Sequence, residues 1–324
     1  MAAPEERQTI LVTGAAGGLA SLVTGLLTSR YRLVGVDPRP LRSGATFPGE
    51  FFTVDYRARR MAEIFRQYRF HCVLHLGRIP MAEMAKDSVR YNTNVLGTKN
   101  LLELCAKYKV PNVVVCSTFH VYGAHPHNPL YLKEDDPLRA SQTFPELIDA
   151  VDLDNVSTAF VLKHPEIRGV VLRPANVIGP RIRNRITTFL RSRVCPYLLG
   201  YDPPMQFLHE GDVARAIQLA LEGSHRGVFN VAGEGVVPFT RAIRLAGATP
   251  MPVATPFAYP AARIFTALGM NFPAHLVDYF RYPVVISDMA FRRAFGWKAE
   301  MATLDSLREL KGTVPPAENI DATE

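Results

Sequence analysis

Cysteine and tryptophan are scarce in this chain of 324 residues, which contains four cysteines and one tryptophan. The cysteines show no Cys-x-x-Cys spacing, so we expect neither a disulfide framework nor a metal site, but reduced thiols in a cytoplasmic protein. Long apolar runs are also missing, since no stretch approaches the roughly eighteen residues that indicate a transmembrane helix. The opening residues, MAAPEERQ, are polar and predict no signal peptide.

Positive charges outnumber negative charges, and the formal net charge is +7. The only local concentration is an arginine cluster between residues 181 and 193. Aromatic residues do not alternate with these arginines, as they would on a surface that stacks single-stranded nucleic acid. We therefore expect a small-molecule partner that is anionic or sugar-like, and no nucleic acid.

Short β-rich runs alternate with amphipathic helical patterns along the first two thirds of the chain. Near-continuous apolar strands separated by helices are typical of a parallel sheet that is covered on both faces. The sequence thus predicts an α/β protein with a doubly wound parallel sheet. Its strands are expected near residues 9–14, 32–37, 50–55, 71–77, 112–118, 169–176 and 227–233.

A glycine motif follows the first predicted strand. In TGAAGGLAS, Gly14, Gly17 and Ala20 recur at three-residue intervals before a helix. Gly14 permits a tight turn, Gly17 lets a pyrophosphate approach the backbone, and the helix N-terminus offers free N–H groups to the phosphates. An acid, Asp37, ends the next predicted strand. Together these features predict a dinucleotide site.

The choice of dinucleotide depends on Asp37. Its carboxylate would accept hydrogen bonds from the adenine ribose and repel a 2′-phosphate, which favours NAD over NADP. Arg39 and Arg42 follow closely, and their positive charges could accommodate the 2′-phosphate of NADP.

Eleven motifs occur in a fixed order along the chain. They are TGAAGGLA, VGVD, TVDYR, VLHLG, NTNVLGTKNLL, VVVCSTFHVYG, KEDDPL, VVLRPANVIGP, FLHEGDVARAI, GVFNVAG and AFGW. In this order they resemble the extended short-chain dehydrogenase/reductases, the NAD-dependent epimerase/dehydratase family, and within it an atypical UDP-glucose 4-epimerase-like group. The resemblance implies a Rossmann-type sheet with a smaller C-terminal substrate lobe, and a homodimer paired through helices near residues 95–109 and 150–164.

Beyond Pro180 prolines cluster and the periodicity weakens, which indicates a smaller lobe built from insertions after the later strands. We expect an NAD-binding domain over residues 1–180 and 204–240, a small lobe over 181–203 and 241–311, and a disordered tail from 312 to 324. Substrate-binding candidates are Arg181, Arg185 and Gln206. Cofactor-binding candidates are Gly14, Ala16, Gly17, Gly18, Leu19, Asp37, Asp55, Leu76, Gly77, Asn94, Cys116, Pro174 and Asn176.

The family's Tyr-x-x-x-Lys pair is missing. In the family, the tyrosine exchanges a proton with a substrate hydroxyl, helped by the lysine cation. Residues 137–162 contain neither residue type. If Asp154 aligns with the acid that often follows the lysine, the tyrosine position falls near Glu146 and the lysine position near Ala150. Thr118 keeps the position of the family's hydroxyl residue.

Four residues are candidates for substituted chemistry: Thr118, His120, Arg78 and Glu146. Histidine titrates near neutrality, and His120 follows the fifth strand on the expected nicotinamide side. Arg78 stands where the family has a small residue, and it could bind an anion or stabilise an oxyanion. Glu146 belongs to a group of acids at a helix start, where the helix dipole favours carboxylates without any catalytic role.

Three functions are compatible with this sequence. The first is an NAD-dependent oxidoreductase or isomerase acting on a sugar-like substrate, free or nucleotide-linked, with non-standard acid–base residues. The second is a catalytically inactive NAD-binding sensor or scaffold. The third is a non-redox enzyme with structural NAD. The missing pair favours the second, whereas the retained Thr118 and Asp37 favour the other two.

Overall fold

The structure is a computed structural model that describes residues 7–79, 86–258, 260 and 276–311. A sheet of seven parallel strands forms its centre, in the order β11-β6-β5-β4-β1-β2-β3. These strands are β1 Thr9–Thr13, β2 Arg32–Asp37, β3 Glu50–Thr53, β4 Phe70–His75, β5 Asn112–Cys116, β6 Arg168–Pro174 and β11 Gly227–Val231.

Helices and short strands connect and flank this sheet. The helices are α1 Gly18–Leu27, α2 Arg59–Gln67, α3 Asp87–Tyr91, α4 Gly97–Lys107, α5 Ala140–Thr143, α6 Ile148–Lys163, α7 Arg185–Leu190, α8 Glu210–Glu222, α9 Phe239–Leu245, α10 Leu276–Tyr279, α11 Met289–Phe295 and α12 Thr303–Glu309. A π-helical turn, Asn92–Leu96, joins α3 to α4, and 3-10 turns cover Phe119–Tyr122 and Pro145–Leu147. Three two-stranded sheets pair β7 Asn176–Ile178 with β10 Phe207–His209, β9 Pro204–Met205 with β12 Val237–Pro238, and β8 Val194–Leu198 with β13 Thr249–Val253.

Apolar layers cover both faces of the large sheet. In β1, Ile10 and Val12 belong to one buried cluster and Leu11, between them, to the other, because side chains alternate along a strand. Helices α1 and α8 pack on the first face, where Val23 is fully buried. Helices α4 and α6 pack on the second, where Leu101 is fully buried. The predicted doubly wound α/β fold is confirmed.

A separate apolar cluster lies beyond β7. It includes Leu190, Cys195, Phe239 and Leu307, from α7, β8, α9 and α12. The division into two lobes at the predicted boundaries stays a prediction, and the predicted disordered tail lies outside the described residues. Within the described ranges, no helix combines the length and apolarity that crossing a membrane requires.

Candidate functional site

The predicted site residues gather at one edge of the large sheet. Parallel strands end at the same edge, and β1 and β4 are neighbours from which the chain order runs outward in both directions. Such a switch point is where open α/β sheets bind their ligands. The residues that end these strands or follow them closely are Gly14, Asp37, Asp55, Leu76, Gly77, Arg78, Cys116, Thr118, Pro174 and Asn176.

The glycine loop after β1 offers unused backbone donors. Gly14 has a φ of 69°, and a Cβ there would lie 2.6 Å from Gly77 Cα, so only glycine fits at this close approach. At the start of α1, the N–H groups of Gly18, Leu19 and Ala20 have no acceptor among the residues that the structure describes. First-turn N–H groups have no partner within their own helix, so this end of α1 fits a pyrophosphate.

Asp37 fastens this loop to the end of β2. Its buried carboxylate accepts a hydrogen bond from Ala16 N at 3.1 Å. It also accepts from the backbone N and Nε of Arg39, at 2.9 and 3.2 Å. Beside it, Gly17 N donates to Gly14 O at 2.9 Å and closes the turn. The acid predicted to bind a ribose is thus held in position by the loop and by one arginine.

The segment after β3 contributes a second acid and a tyrosine that the sequence analysis missed. Asp55 pairs with Arg57 at 2.7 Å, and the Arg57 hydrogen bonds hold the pKa of this carboxyl below its usual range. The Tyr56 hydroxyl accepts the Gly14 N–H at 3.0 Å. A Cβ at Gly77 would lie 2.2 Å from the same hydroxyl, so Gly77 is required by packing against Tyr56. The only signal for Tyr56 was its place in the TVDYR motif.

Asn94 holds the chain after β4 to helix α6. Its side chain accepts from Ile79 N at 2.8 Å and donates to Ile79 O at 3.0 Å. It also donates to Asp149 Oδ2 at 2.5 Å. Because Asn94 is fully buried and its amide is engaged, it acts as a framework residue.

Arg90 contacts the segment in which the Tyr-x-x-x-Lys pair is missing. Helix α6 begins at Ile148, so Glu146 lies in the preceding 3-10 turn. Arg90 donates to Glu146 O at 3.1 Å and lies 3.3 Å from Asp149. Ala150, at the lysine position, is buried in an apolar cluster. Arg90 was missed, although its place one helical turn before Asn94 suggested a shared face.

Asp154 anchors α6 to the sheet. Two nitrogens of Arg173 contact its two carboxylate oxygens at 2.9 and 2.7 Å, and Ser117 Oγ donates to it at 2.6 Å. Arg173 also donates to the Tyr122 hydroxyl at 2.8 Å, and that hydroxyl donates to Asn230. Burial raises the pKa of Tyr122 to about 12, so this phenol is a structural group.

Thr118 and His120 form a hydroxyl–imidazole pair after β5. Thr118 Oγ1 lies 2.9 Å from His120 Nδ1 and accepts the backbone N–H of His120 at 3.4 Å. The Tyr279 hydroxyl donates to His120 O at 2.9 Å, and the Tyr279 ring lies 5.2 Å from the imidazole. Tyr279 stands 159 positions further along the chain, so no local pattern predicted its contact.

Arg78 is half-buried beside Asp149 and Cys116, close to the Thr118 side of the sheet edge. Its guanidinium forms no hydrogen bond or ion pair with any part of the chain that the structure describes. Burial lowers the pKa of Arg78, and the charge of Asp149 raises it in part. Arg78 is therefore an available cation at the site.

Other cofactor candidates line the strand ends. Cys116 is partly exposed, and burial raises the pKa of its thiol to about 11. Leu76 is half-buried after β4, and Pro174 ends β6. Asn176 donates to Gln206 O at 3.0 Å. The Gln206 amide is engaged with the main chain of residue 286 on both sides, at 3.2 and 3.0 Å, which gives this substrate candidate a structural partner.

The two predicted substrate arginines lie at different places. Arg181 O would be 3.3 Å from a Cβ at Gly18, so Arg181 stands at the start of α1, with its side chain largely exposed. Arg185 begins α7 and lies within electrostatic reach of Arg90 and Glu146. Only Arg185 thus joins the charged group near Arg78. Among the described residues, no three histidine, cysteine or carboxylate side chains are grouped as metal ligands.

Comparisons with known proteins agree with this architecture. The chain matches the model of the NAD dependent epimerase/dehydratase family over residues 10–232. An uncharacterised protein of Mycobacterium tuberculosis is 32% identical over 320 residues, which cover 94% of this chain and 83% of that protein.

Two solved structures are similar over nearly the whole chain. The UDP-glucose 4-epimerase of Thermus thermophilus in complex with NAD has a TM-score of 0.74 at 22% identity, covering 95% of this chain and 100% of that one. MoeE5 in complex with UDP-glucuronic acid and NAD has a TM-score of 0.73 at 24% identity, covering 92% and 96%. At these identities the likeness establishes the shared fold.

Proposed function

The chain belongs to the NAD-dependent epimerase/dehydratase family, and from this premise we propose that it is an NAD-dependent oxidoreductase or isomerase of a sugar-like substrate. The observation that carries this proposal is the 2.9 Å contact between Thr118 Oγ1 and His120 Nδ1 at the end of β5. It supports a hydroxyl–imidazole pair as the proton carrier in place of tyrosine and lysine.

We propose NAD as the cofactor, in preference to NADP. The free N–H groups of Gly18 and Leu19 fit the pyrophosphate. The buried carboxylate of Asp37 fits the ribose hydroxyls and repels a further phosphate. Both similar solved structures are complexes with NAD, which supports the same choice.

When bound, NAD supplies the acceptor for a hydride from the carbon that bears the reacting hydroxyl. Thr118 Oγ1 takes the hydroxyl proton while its own proton passes to His120 Nδ1, so one O–H bond breaks and one N–H bond forms. Histidine suits this step because imidazole titrates near neutrality. Return of the proton along the same pair completes the reverse reaction.

The surroundings hold this pair in one arrangement. The backbone N–H of His120 is donated to Thr118 Oγ1, which leaves the hydroxyl proton of Thr118 directed at Nδ1. The hydrogen bond from Tyr279 to His120 O ties the turn to α10. A positioned acid–base group needs such support to stay within reach of its substrate.

We propose that the protein is a homodimer through helices α4 and α6. Helix α6 presents Ile148 and Leu162 to solvent, with exposures of 38% and 76%. They lie two heptads apart, about four turns, and so share one face of the helix. Leu96, directly before α4, is also exposed.

The proton carrier is tested by His120→Gln and Thr118→Val. For a sugar substrate that reduces the bound NAD, we expect each variant to lower kcat about a hundredfold or more, which is typical for loss of a general base. His120→Gln should also change the shape of the pH–rate profile, because an amide cannot take up a proton as an imidazole does. His127→Gln, at an exposed histidine of the next loop, is the control. Full activity with an unchanged pH profile in His120→Gln would contradict this mechanism.

A catalytically inactive NAD-binding protein is the second candidate. Ala150, at the lysine position, lies in an apolar cluster and carries no charge, which favours this candidate because the family's lysine cation is not replaced at its own position. NAD binding without reduction by any sugar would support it. Conversion of a sugar without reduction of NAD at any stage would instead indicate a non-redox enzyme with structural NAD.

A further inference from the structure

We propose that Arg78 forms a subsite for a carboxylate group on the substrate. This inference rests on the proposed function, because it concerns the group next to the reacting hydroxyl. It names the substrate class as a sugar acid or a similar hydroxy acid.

The position of Arg78 is the first argument. It follows β4 by three residues, at the same sheet edge as Thr118 on neighbouring β5. It lies within electrostatic reach of Asp149 and Cys116. Arg78 and Thr118 therefore lie at the same edge of the sheet, the edge at which α/β sheets bind ligands.

The state of the Arg78 side chain is the second argument. A half-buried guanidinium loses hydration, and this cost is offset only when its N–H groups find acceptors. The nearest carboxylate, Asp149, is already engaged by Arg90 at 3.3 Å and by Asn94 at 2.5 Å. Among the described residues, no other acceptor reaches Arg78. Its planar fork is suited to bidentate contact with a carboxylate.

The charge of Arg78 is the third argument. Among the described residues, Asp149 is the carboxylate within electrostatic reach of Arg78, and it pairs with Arg90 instead. The single positive charge of Arg78 therefore has no ion-pair partner in the described part of the chain.

This single positive charge favours one kind of anion. A carboxylate carries a single negative charge and balances the Arg78 guanidinium, whereas a phosphate monoester carries close to two near neutrality. The subsite thus favours a carboxylate over a phosphate.

The test compares probes that differ only in one group: D-glucuronate, D-glucose and glucose 6-phosphate. Their affinities for the full-length protein, loaded with NAD, are measured by titration calorimetry. We expect wild type to bind glucuronate most tightly. Arg78→Gln should weaken the affinity for glucuronate roughly tenfold or more and leave the affinity for glucose unchanged. One charge-assisted hydrogen bond contributes enough free energy to change an affinity by about tenfold or more.

Two further variants make the comparison specific. Arg66→Gln removes the same charge from an exposed position on α2 and should leave all three affinities unchanged. Arg78→Lys keeps the charge without the fork and should retain part of the preference. Since Arg78 forms no hydrogen bond or ion pair with the described residues, Arg78→Gln should give the circular dichroism spectrum of wild type.

Equal affinity for glucuronate and glucose in wild type would overturn the subsite, and so would an Arg78→Gln variant that keeps the preference. Tighter binding of glucose 6-phosphate than of glucuronate would overturn the choice of carboxylate. Calorimetry does not require turnover, so the two proposals fail separately. If glucuronate binding depends on Arg78 but no sugar reduces NAD, the subsite is supported and the proposed function is not. If only neutral sugars reduce NAD, the proposed function is supported and the subsite is not.

Discussion

Burial decides which titratable side chains at the sheet edge can move protons. His75, Tyr122 and Tyr279 are buried and have their hydrogen bonds to the protein, so they support the structure. His120 is partly exposed, and it contacts the buried hydroxyl of Thr118. The sequence predicted both members of this pair, because Thr118 keeps the family position and His120 follows at a short distance. It could not predict Tyr279, whose contact depends on the path of a distant segment.

His75 makes the stability depend on pH. Its Nδ1 lies 2.6 Å from Thr13 Oγ1 and its Nε2 lies 2.7 Å from Thr98 Oγ1. Thr98 donates its proton to Asn94 O, so Nε2 carries the hydrogen and Nδ1 accepts from Thr13. A protonated ring would present a second donor to Thr13. Burial lowers the pKa of His75 to about 4.

Because this folded-state pKa lies below the unfolded value of about 6.5, the stability from neutral His75 is complete above that pH. It is lost as the pH falls from about 6.5 to 4, by up to about 3 kcal/mol. Denaturant unfolding at several pH values measures this loss. His75→Gln should flatten the dependence over this range, and His127→Gln should not. An equally steep dependence in His75→Gln would show that other groups cause it.

At the scale of elements, the start of α6 explains why the usual pair cannot simply be restored. In a helix, positions four apart lie on one face, which is how tyrosine and lysine reach the cofactor together. Here Pro145 opens a 3-10 turn and α6 begins only at Ile148. Positions 146 and 150 thus belong to different elements. The sequence predicted where both positions fall along the chain, but not the boundary between turn and helix, where Arg90 contacts Glu146 O.

The exposed face of α6 predicts an effect on assembly. Leu162→Arg places a charge in the proposed α4–α6 interface, where it would lose hydration without a partner, so we expect the variant to shift from dimer to monomer. Light scattering after size-exclusion chromatography measures the mass. Leu199→Arg, at another exposed leucine, is the control and should remain dimeric. A monomeric wild type, or a fully dimeric Leu162→Arg, would rule out this interface.

At the scale of the whole molecule, periodicity and order of motifs predicted the sheet well. The seven strands occur where apolar runs indicated them, and most strand ends differ from the predicted ends by one or two residues. The roles of charged residues were less predictable, because they depend on contacts between distant segments. Arg90 contacts Asp149, Gln206 is held by residue 286, and Arg181 and Arg185 lie apart. Only three-dimensional proximity distinguishes Arg78, which lacks a described partner, from arginines that have one.

The central claim is that this sheet edge binds NAD and transfers hydride from a sugar-like substrate without tyrosine and lysine. It is tested most directly by the near-ultraviolet absorbance of the NAD-loaded protein after addition of UDP-glucose, UDP-glucuronic acid and the free sugars. The account predicts that the absorbance of reduced nicotinamide develops with at least one of them and is lost in Thr118→Val. Bound NAD that stays oxidised with every substrate would contradict it.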